Sequence, residues 1–436
     1  MPSPNLTPLE LAIRDRPMTL WQIGAIGVCV MINALDGIDV LAIAFTAPHI
    51  AREWGLSPQQ VGVLLSSGLA GMAMGALVLS PLADRMGRRS AMLVCLAVIA
   101  AGMVASSFTE GLVQLAACRL LTGLGVGGML PSINTMVAEL ASGRRRDLAV
   151  SVLTIGYPIG ATLGGLVSAD LIETAGWRAV FLGGGLLSVA AVLLVACLLP
   201  ESPQYLLARQ PKGALARVNR IAARLGVEPL TALPPRPAKP SRGSLRGLPL
   251  RPTVKLCAAY FWLMISFYFF LSWTPKLLVD AGLSAAEGIS GLVLMNVGGA
   301  VGGLLFGWGT LKTGARPLGV AVIAGAFVSG VVFGLATDSL TGALIAGFAL
   351  GALLMAGMSS LYALAPQIYS VETRSTGTGL ALGVGRLGAI LGPIIAGLLI
   401  GAGADRPVVA AVLATPLLLA ALSVWTLGPA SARGAR

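Results

Sequence analysis

The chain has 436 residues, of which 56% are apolar and only 11% charged, with 57 glycines and a formal net charge of +12. A soluble domain carries about a quarter charged residues and about 7% glycine, so a water-soluble enzyme is disfavoured from the outset, while small residues in this quantity suit close helix packing in a bilayer. The basic surplus does not form one face for nucleic acid, because long apolar runs separate the charges.

A bilayer-spanning helix needs about 20 predominantly apolar residues. The first run lies between Arg16 and Arg52 and is interrupted only by Asp36 and Asp39. It is too long for the apolar region of a signal peptide and reads as an uncleaved span. Charge-free runs follow at 54–83, 90–109, 120–138, 148–169 and 179–200, the fourth span starting near Leu112 so that it takes in Arg119. Residues 205–250 are rich in proline, from Pro211 to Pro249, with Glu228 their one acid. This stretch reads as a partly disordered linker in which Gly213–Leu225 has an amphipathic pattern suited to the membrane surface. Further runs occupy 256–275, 288–311, 317–337, 339–371, 375–404 (broken only by Arg386) and 407–432. Glycine and proline inside these runs do not argue against helix, because bilayer helices tolerate them. The expected protein is all-α and integral to the membrane, with twelve spans. Its predicted parts are a cytoplasmic segment 1–19, a six-helix bundle 20–204, a basic linker 205–252, a second six-helix bundle 253–428 and a tail 429–436.

Lysine and arginine set the orientation. With the N-terminus inside, 24 of them fall in cytoplasmic segments, 11 of those between Arg209 and Lys255 after the sixth span, against four outside: Arg52, Arg178, Lys276 and Arg406. The positive-inside rule therefore predicts both termini in the cytoplasm of a bacterial inner-membrane protein. Arg119 and Arg386 remain, within spans. Cys29, Cys95, Cys118, Cys197 and Cys257 lie in or at the ends of spans with no C-x-x-C pair, so neither a disulfide framework nor a zinc site is expected. The single histidine, His49, closes the outer end of the first span and reads as a satisfied or solvated residue rather than a proton relay.

The two halves repeat each other. Ser80-Pro-Leu-Ala-Asp84-Arg85-Met-Gly87-Arg88-Arg89 after the second span returns as Gly307-Trp-Gly-Thr-Leu311-Lys312-Thr-Gly314-Ala-Arg316 after the eighth, at an offset of 227. Gly160-Ala-Thr-Leu-Gly164-Gly165 in the fifth span returns as Gly388-Ala-Ile-Leu-Gly392-Pro393 in the eleventh, at an offset of 228. Six plus six parallel repeats place a binding site between the halves, near the midplane.

Asp84-Arg85-Met-Gly87-Arg88-Arg89 resembles the signature loop between the second and third helices of the major facilitator superfamily. Pro200-Glu201-Ser202-Pro203 after the sixth span and Glu372-Thr-Arg374 before the eleventh resemble that superfamily too. Within it, Asp36-Gly37-Ile-Asp39 resembles the first helix of the aromatic acid:proton symporter family. Arg119-Leu-Leu-Thr-Gly-Leu-Gly-Val-Gly-Gly and Gly385-Arg386-Leu-Gly fit the same pattern. The resemblance implies the major facilitator fold and secondary active transport. In particular it implies proton-coupled uptake of a small aromatic carboxylate such as a benzoate, hydroxybenzoate or phenylpropanoid, as in aromatic compound catabolism. Two departures stand out: Ser80 replaces the loop's usual glycine, and Gly160-Ala161 stands where drug:proton antiporters have Gly-Pro.

A charged side chain at the bilayer centre costs about 2.5–3.5 kcal/mol on insertion scales. Asp36 and Asp39 share a helix face with Asn33, and two neighbouring carboxyls in a low dielectric oppose each other's ionisation. They are the expected proton-coupling pair; the alternative is a salt bridge that only holds helices together. Counting 1.5 Å per residue puts Asp36 about 20–24 Å from the start of its span and Arg119 about 11 Å from the start of its own, at similar depth, which predicts contact between them. Arg386 lies about 15 Å into its span, with no acid inside the second bundle to offset it. A substrate carboxylate would serve, since guanidinium binds carboxylate bidentately; pairing with Asp36 or Asp39 across the halves is the alternative. The seventh span holds eight of the chain's 24 aromatics, from Tyr260 to Trp273, and some, Tyr268 among them, face a substrate ring. Trp21 and Trp273 fit interfacial anchoring. The substrate-binding set is thus Arg386, Arg119, Tyr268 and Asn33.

Asp84, Arg85, Gly87, Arg88 and Arg89 form the expected gating motif, with Asp84 positioned to cap the positive N-terminal end of the eleventh span. No H-E-x-x-H, G-x-S-x-G or P-loop is present, so no catalytic residue, metal or cofactor is expected. Expected partners are protons, a small carboxylate and membrane lipid, with the chain acting as a monomer. The rival readings are a broader organic-anion or dicarboxylate (muconate-like) carrier and a proton antiport exporter.

Overall fold

The computed structural model describes residues 7–235, 248–337, 339–369 and 373–427, and among these it is helical with no strand. A short α1 (Pro8–Asp15) precedes six long helices: α2 (Leu20–Glu53), α3 (Pro58–Met86), α4 (Arg88–Ser107), α5 (Leu112–Leu140), α6 (Arg146–Ala175) and α7 (Trp177–Leu198). Two short helices, α8 (Pro203–Arg209) and α9 (Ala214–Arg224), follow. The second set is α10 (Leu250–Asp280), α11 (Ala285–Thr313), α12 (Ala315–Ala336), α13 (Leu340–Ile368), α14 (Arg374–Gly401), α15 (Arg406–Ala414) and α16 (Pro416–Trp425). Twelve helical spans are long and apolar enough to cross a membrane, the last made of α15 and α16 together. The sequence reads that span as one helix; it breaks at Pro416, which opens α16 because proline supplies no N–H to the preceding turn. The protein is a multi-pass integral membrane protein.

The internal repeat is written into the helix ends. Ser57 and Gln60 form a reciprocal capping box at the start of α3, and Ser284 and Glu287, 227 residues on, form one at the start of α11. Gly87 (φ 100°) and Gly314 (φ 82°), again 227 apart, turn the chain tightly into α4 and α12, in a region that side chains with a Cβ avoid. Packing repeats as well. A Cβ on Gly71, Gly75 or Gly127 would strike the facing backbone between α3 and α5, and one on Gly298, Gly302 or Gly351 would do so between α11 and α13. Gly37 and Gly160 bring α2 against α6, as Gly388 and Gly392 bring α10 against α14. These seams are the small-residue contacts that hold helices together where lipid offers no hydrophobic driving force.

The halves meet closely at the end remote from the termini. Ser66 Oγ of α3 donates to the Ile390 carbonyl of α14 at 2.8 Å. A Cβ on Gly62 would lie 2.6 Å from the Pro393 carbonyl oxygen, and one on Gly397 2.5 Å from that of Pro58. Gly165 of α6 likewise packs on Val293 of α11. Toward the end that carries the termini, Gly379 and Gly383 of α14 face empty space, and Tyr362 of α13 is 50% exposed. The cavity between the halves opens at that end.

The linker differs from its expected form. Leu9 and Ile13 of α1, Leu206 and Leu207 of α8, and Val218, Ile221 and Leu225 around α9 build a second, separate core. Arg16 Nη1 donates to the Gly226 carbonyl at 3.0 Å, closing the end of α9, and Asn219 pins Leu230 through its backbone N–H and carbonyl. The apolar stripe of α9 therefore covers α1 and α8 rather than lipid. Linker residues 236–247 and tail residues 428–436 lie outside the described residues.

Candidate functional site

Three side chains of α2 face into the first bundle. Asp36, Asp39 and Asn33 are 1%, 4% and 7% exposed. Asn33 Nδ2 donates to the Leu153 carbonyl at 2.7 Å. It ties α2 to α6. Among the described residues neither carboxyl oxygen of Asp36 has a hydrogen-bond partner, nor does Asp39 Oδ1. An unpaired buried ion is far costlier than a neutral acid in such a setting.

Arg119 of α5 is 2% exposed and held within its own half. Its Nη2 donates to Ser106 Oγ at 2.7 Å and Thr122 Oγ1 at 3.1 Å, its Nη1 lies 3.1 Å from Met103 Sδ, and the guanidinium sits 4.6 Å over the Phe181 ring, a cation–π contact. Its electrostatic partner is Asp39, not Asp36 as helix depth predicts, and no ion pair joins Asp36 to Arg119 among the described residues. The groups within electrostatic reach of Asp36 are Asp39, Cys95 of α4 and Tyr157 of α6.

In the second bundle Arg386 makes one hydrogen bond among the described residues, from Nη1 to the Tyr268 hydroxyl at 3.1 Å. The phenols of Tyr362 and Tyr157 are its next electrostatic neighbours. Three tyrosines from α6, α10 and α13 thus neighbour one guanidinium that has no carboxylate to pair with among the described residues. Tyr268 is among the aromatics singled out in sequence. Tyr157 and Tyr362 are not, although a chain with only six tyrosines that places several within spans carries a signal for polar work there.

A narrow cavity of about 30 Å³ lies between the first charge centre and α10. Asp39, Arg119 and Thr122 line it from the first half, Tyr268, Leu271 and Ser272 of α10 from the second. About one probe sphere of 10–15 Å³ holds a water, so the space accommodates roughly two. Tyr268 touches both centres, accepting from Arg386 on one side and bordering the Asp39/Arg119 cavity on the other.

The signature loop is braced from the end of α7. Glu201 accepts from the Arg89 N–H at 3.0 Å and from the Ser202 N–H at 2.9 Å, and lies against Gly87 so closely that a Cβ there would collide with it. Arg89 Nη2 donates to the Ala196 carbonyl at 2.5 Å. The Arg85 carbonyl accepts from the Tyr205 hydroxyl at 3.0 Å, Ser202 donates to Glu139, and Arg88 lies within electrostatic reach of Glu139. The side chain of Asp84, with its expected latch on α14, lies outside the described residues, as does Glu372.

A twelve-span helical protein with pseudo-repeated halves around a cavity that presents buried charge from both sides is a membrane carrier, not an enzyme. The chain belongs to the Major Facilitator Superfamily, whose sequence model matches residues 29–355. It is 35% identical over 430 residues to a gallate transporter of Pseudomonas putida, covering 97% of this chain and 95% of that one. It is 32% identical to the 3-(3-hydroxy-phenyl)propionate transporter of Escherichia coli (92% and 93% covered) and 30% identical to the 4-hydroxybenzoate transporter PcaK of Acinetobacter baylyi (95% and 93%). Among solved structures, the partially occluded inward-open xylose transporter XylE of E. coli superposes with a TM-score of 0.76 at 17% identity, covering 95% of this chain and 99% of that one.

Proposed function

We propose that this protein takes up a small aromatic carboxylate across the cytoplasmic membrane together with one or more protons, by alternating access. The observation that carries the reading is the pair of charge centres sharing Tyr268: acidic Asp36/Asp39 with Arg119 in one half, a cation without a carboxylate, Arg386, in the other. Arg386 anchors the substrate carboxylate bidentately. Tyr157, Tyr268 and Tyr362 offer ring faces and hydroxyl partners to a hydroxylated aromatic ring, in keeping with the substrates named for the relatives. Asp36 and Asp39 carry the proton, needing no cofactor. The 24-to-4 distribution of basic residues supports termini on the inside, and in that orientation the cavity described above faces the cytoplasm.

Proteoliposomes given an acidic exterior test the direction: symport accumulates a labelled hydroxybenzoate, whereas an exporter or a uniporter does not. Arg386→Lys is expected to raise the apparent KM for that substrate at least tenfold, because an ammonium cannot reproduce the bidentate contact. The methyl ester of the substrate is expected to compete poorly; equal competition by acid and ester removes Arg386 from the site.

A further inference from the structure

A second cavity, of about 310 Å³, lies far from the transport site, between α9 and the terminus-side end of α7. Arg217, Arg220 and Arg224 line it from one face of α9, with Arg89 and Trp21 opposite. The three α9 arginines are exposed and make no ion pair among the described residues. Glu201 is the one acid in the lining, and it is already bonded to the Arg89 and Ser202 N–H groups. Arg224 lies 5.4 Å over the Trp21 ring. The Trp21 indole Nε1 is buried with no hydrogen-bond partner among the described residues, a donor left over beside a cluster of cations. The remaining wall is apolar: Cys197, Leu198, Leu199, Leu206 and Ile221. It runs straight into the lipid-facing side of α7, where Leu186, Val189 and Leu193 are 59%, 44% and 63% exposed.

We propose that this groove binds the phosphodiester headgroup of an anionic phospholipid. Arg217, Arg220 and Arg224 surround the phosphate, the Trp21 indole donates to a headgroup oxygen, and the acyl chains descend along the exposed leucines of α7. The combination decides between sources of phosphate. A free anion would use the arginines and leave the apolar wall dry, whereas a lipid uses both, at the depth where basic pockets meet headgroups and tryptophans anchor. The volume sits at the lower end of the range for small-ligand sites, enough for a headgroup but not for its chains. Because α9 is packed on α1 and α8, a lipid held here fastens the linker unit to the first bundle.

The test uses the full chain in neutral maltoside micelles, given dioleoyl phosphatidylglycerol, dioleoyl phosphatidylcholine or soluble glycerol phosphate. Native mass spectrometry reads bound adducts and a melting scan reads stability. Retention of phosphatidylglycerol at least fivefold above phosphatidylcholine is expected, with a higher melting temperature in phosphatidylglycerol alone. Arg217→Gln/Arg220→Gln/Arg224→Gln should abolish the preference and Trp21→Phe should reduce it, while Arg144→Gln/Arg145→Gln, at exposed arginines outside the groove, should leave it intact. Equal retention of both lipids, an unchanged preference in the triple variant, or the same loss in the Arg144/Arg145 control overturns the site. Glycerol phosphate reproducing the whole stabilisation overturns the lipid as its occupant.

Discussion

At the residue scale, Asp36 and Asp39 have the same chemistry but different surroundings, and the difference is testable. Asp36 has no bonding partner, so Asp36→Asn removes a titratable group without breaking a contact and should lower stability by less than about 1 kcal/mol. Asp39 lies within electrostatic reach of Arg119 and is held by the Ser188 hydroxyl as well, so removing its charge withdraws support from a buried cation and breaks a contact. Asp39→Asn should therefore lower the melting temperature clearly more than Asp36→Asn, while both abolish proton-driven uptake; equal melting points refute the assignment of Asp39 as the partner. Tyr268→Phe isolates the link between the centres. Loss of a hydrogen bond to a charged group is worth about 1.5–3 kcal/mol, so pH-driven accumulation should fall roughly tenfold, and clearly more than substrate counterflow, which needs no net proton movement. Parallel loss of both activities would place Tyr268 in substrate binding alone. The charged residues of the site are legible in the sequence because charge inside an apolar run has no cheap explanation. Their pairing is not. Depth along a helix separates Asp36 from Asp39 by only about 4.5 Å, and the rotation between them decides which one meets Arg119 and which turns to Cys95 and Tyr157.

At the scale of elements, the spans and their repeat are readable because burial in lipid demands uninterrupted apolar length and tight turns demand glycine. The 227-residue offset seen in the loops recurs in capping boxes and positive-φ glycines. Other features depend on what a face meets. The stripe of α9 looks the same whether it covers α1 or a bilayer, since amphipathicity records that a face is buried and not what buries it. Glycine shows a similar ambiguity, and here the structure sorts the cases. Gly127 of α5 lies backbone to backbone against Met72, whereas Gly27 of α2 has nothing within 4 Å of a Cβ. Gly127→Ala should lower the melting temperature, since overpacking costs about 1–3 kcal/mol. Gly27→Ala should hold or raise it, because alanine gains about 0.5–1 kcal/mol over glycine inside a helix. A reversed order in a paired melting scan would show that the α3–α5 seam does not set the stability of the bundle.

At the scale of the whole molecule, the closed end and the open end are two sides of one equilibrium. Contacts through Gly62 with Pro393 and Gly397 with Pro58 hold the halves together away from the termini, and no described glycine makes a comparable approach between the halves at the other end. A ligand or a mutation moves such an equilibrium only by acting differently on its two states. Gly62→Leu does so: its side chain fits only if α3 withdraws from α14, so it penalises the state seen here and spares one opened at the far end. A penalty of about 1–3 kcal/mol corresponds to a roughly 5- to 150-fold shift in population. Gly383 supplies the reporter. It lies on the same face of α14 as Arg386, one turn nearer the open end, and a Cβ there meets nothing within 4 Å. Gly383→Cys, in a chain whose Cys118, Cys197 and Cys257 are replaced by alanine, should react readily with a membrane-impermeant maleimide applied from the terminus side. Adding Gly62→Leu should slow that reaction several-fold. An unchanged labelling rate would mean that the contacts around Gly62 do not control access to Arg386, and that the gate lies elsewhere along the α3–α14 or α6–α11 seams.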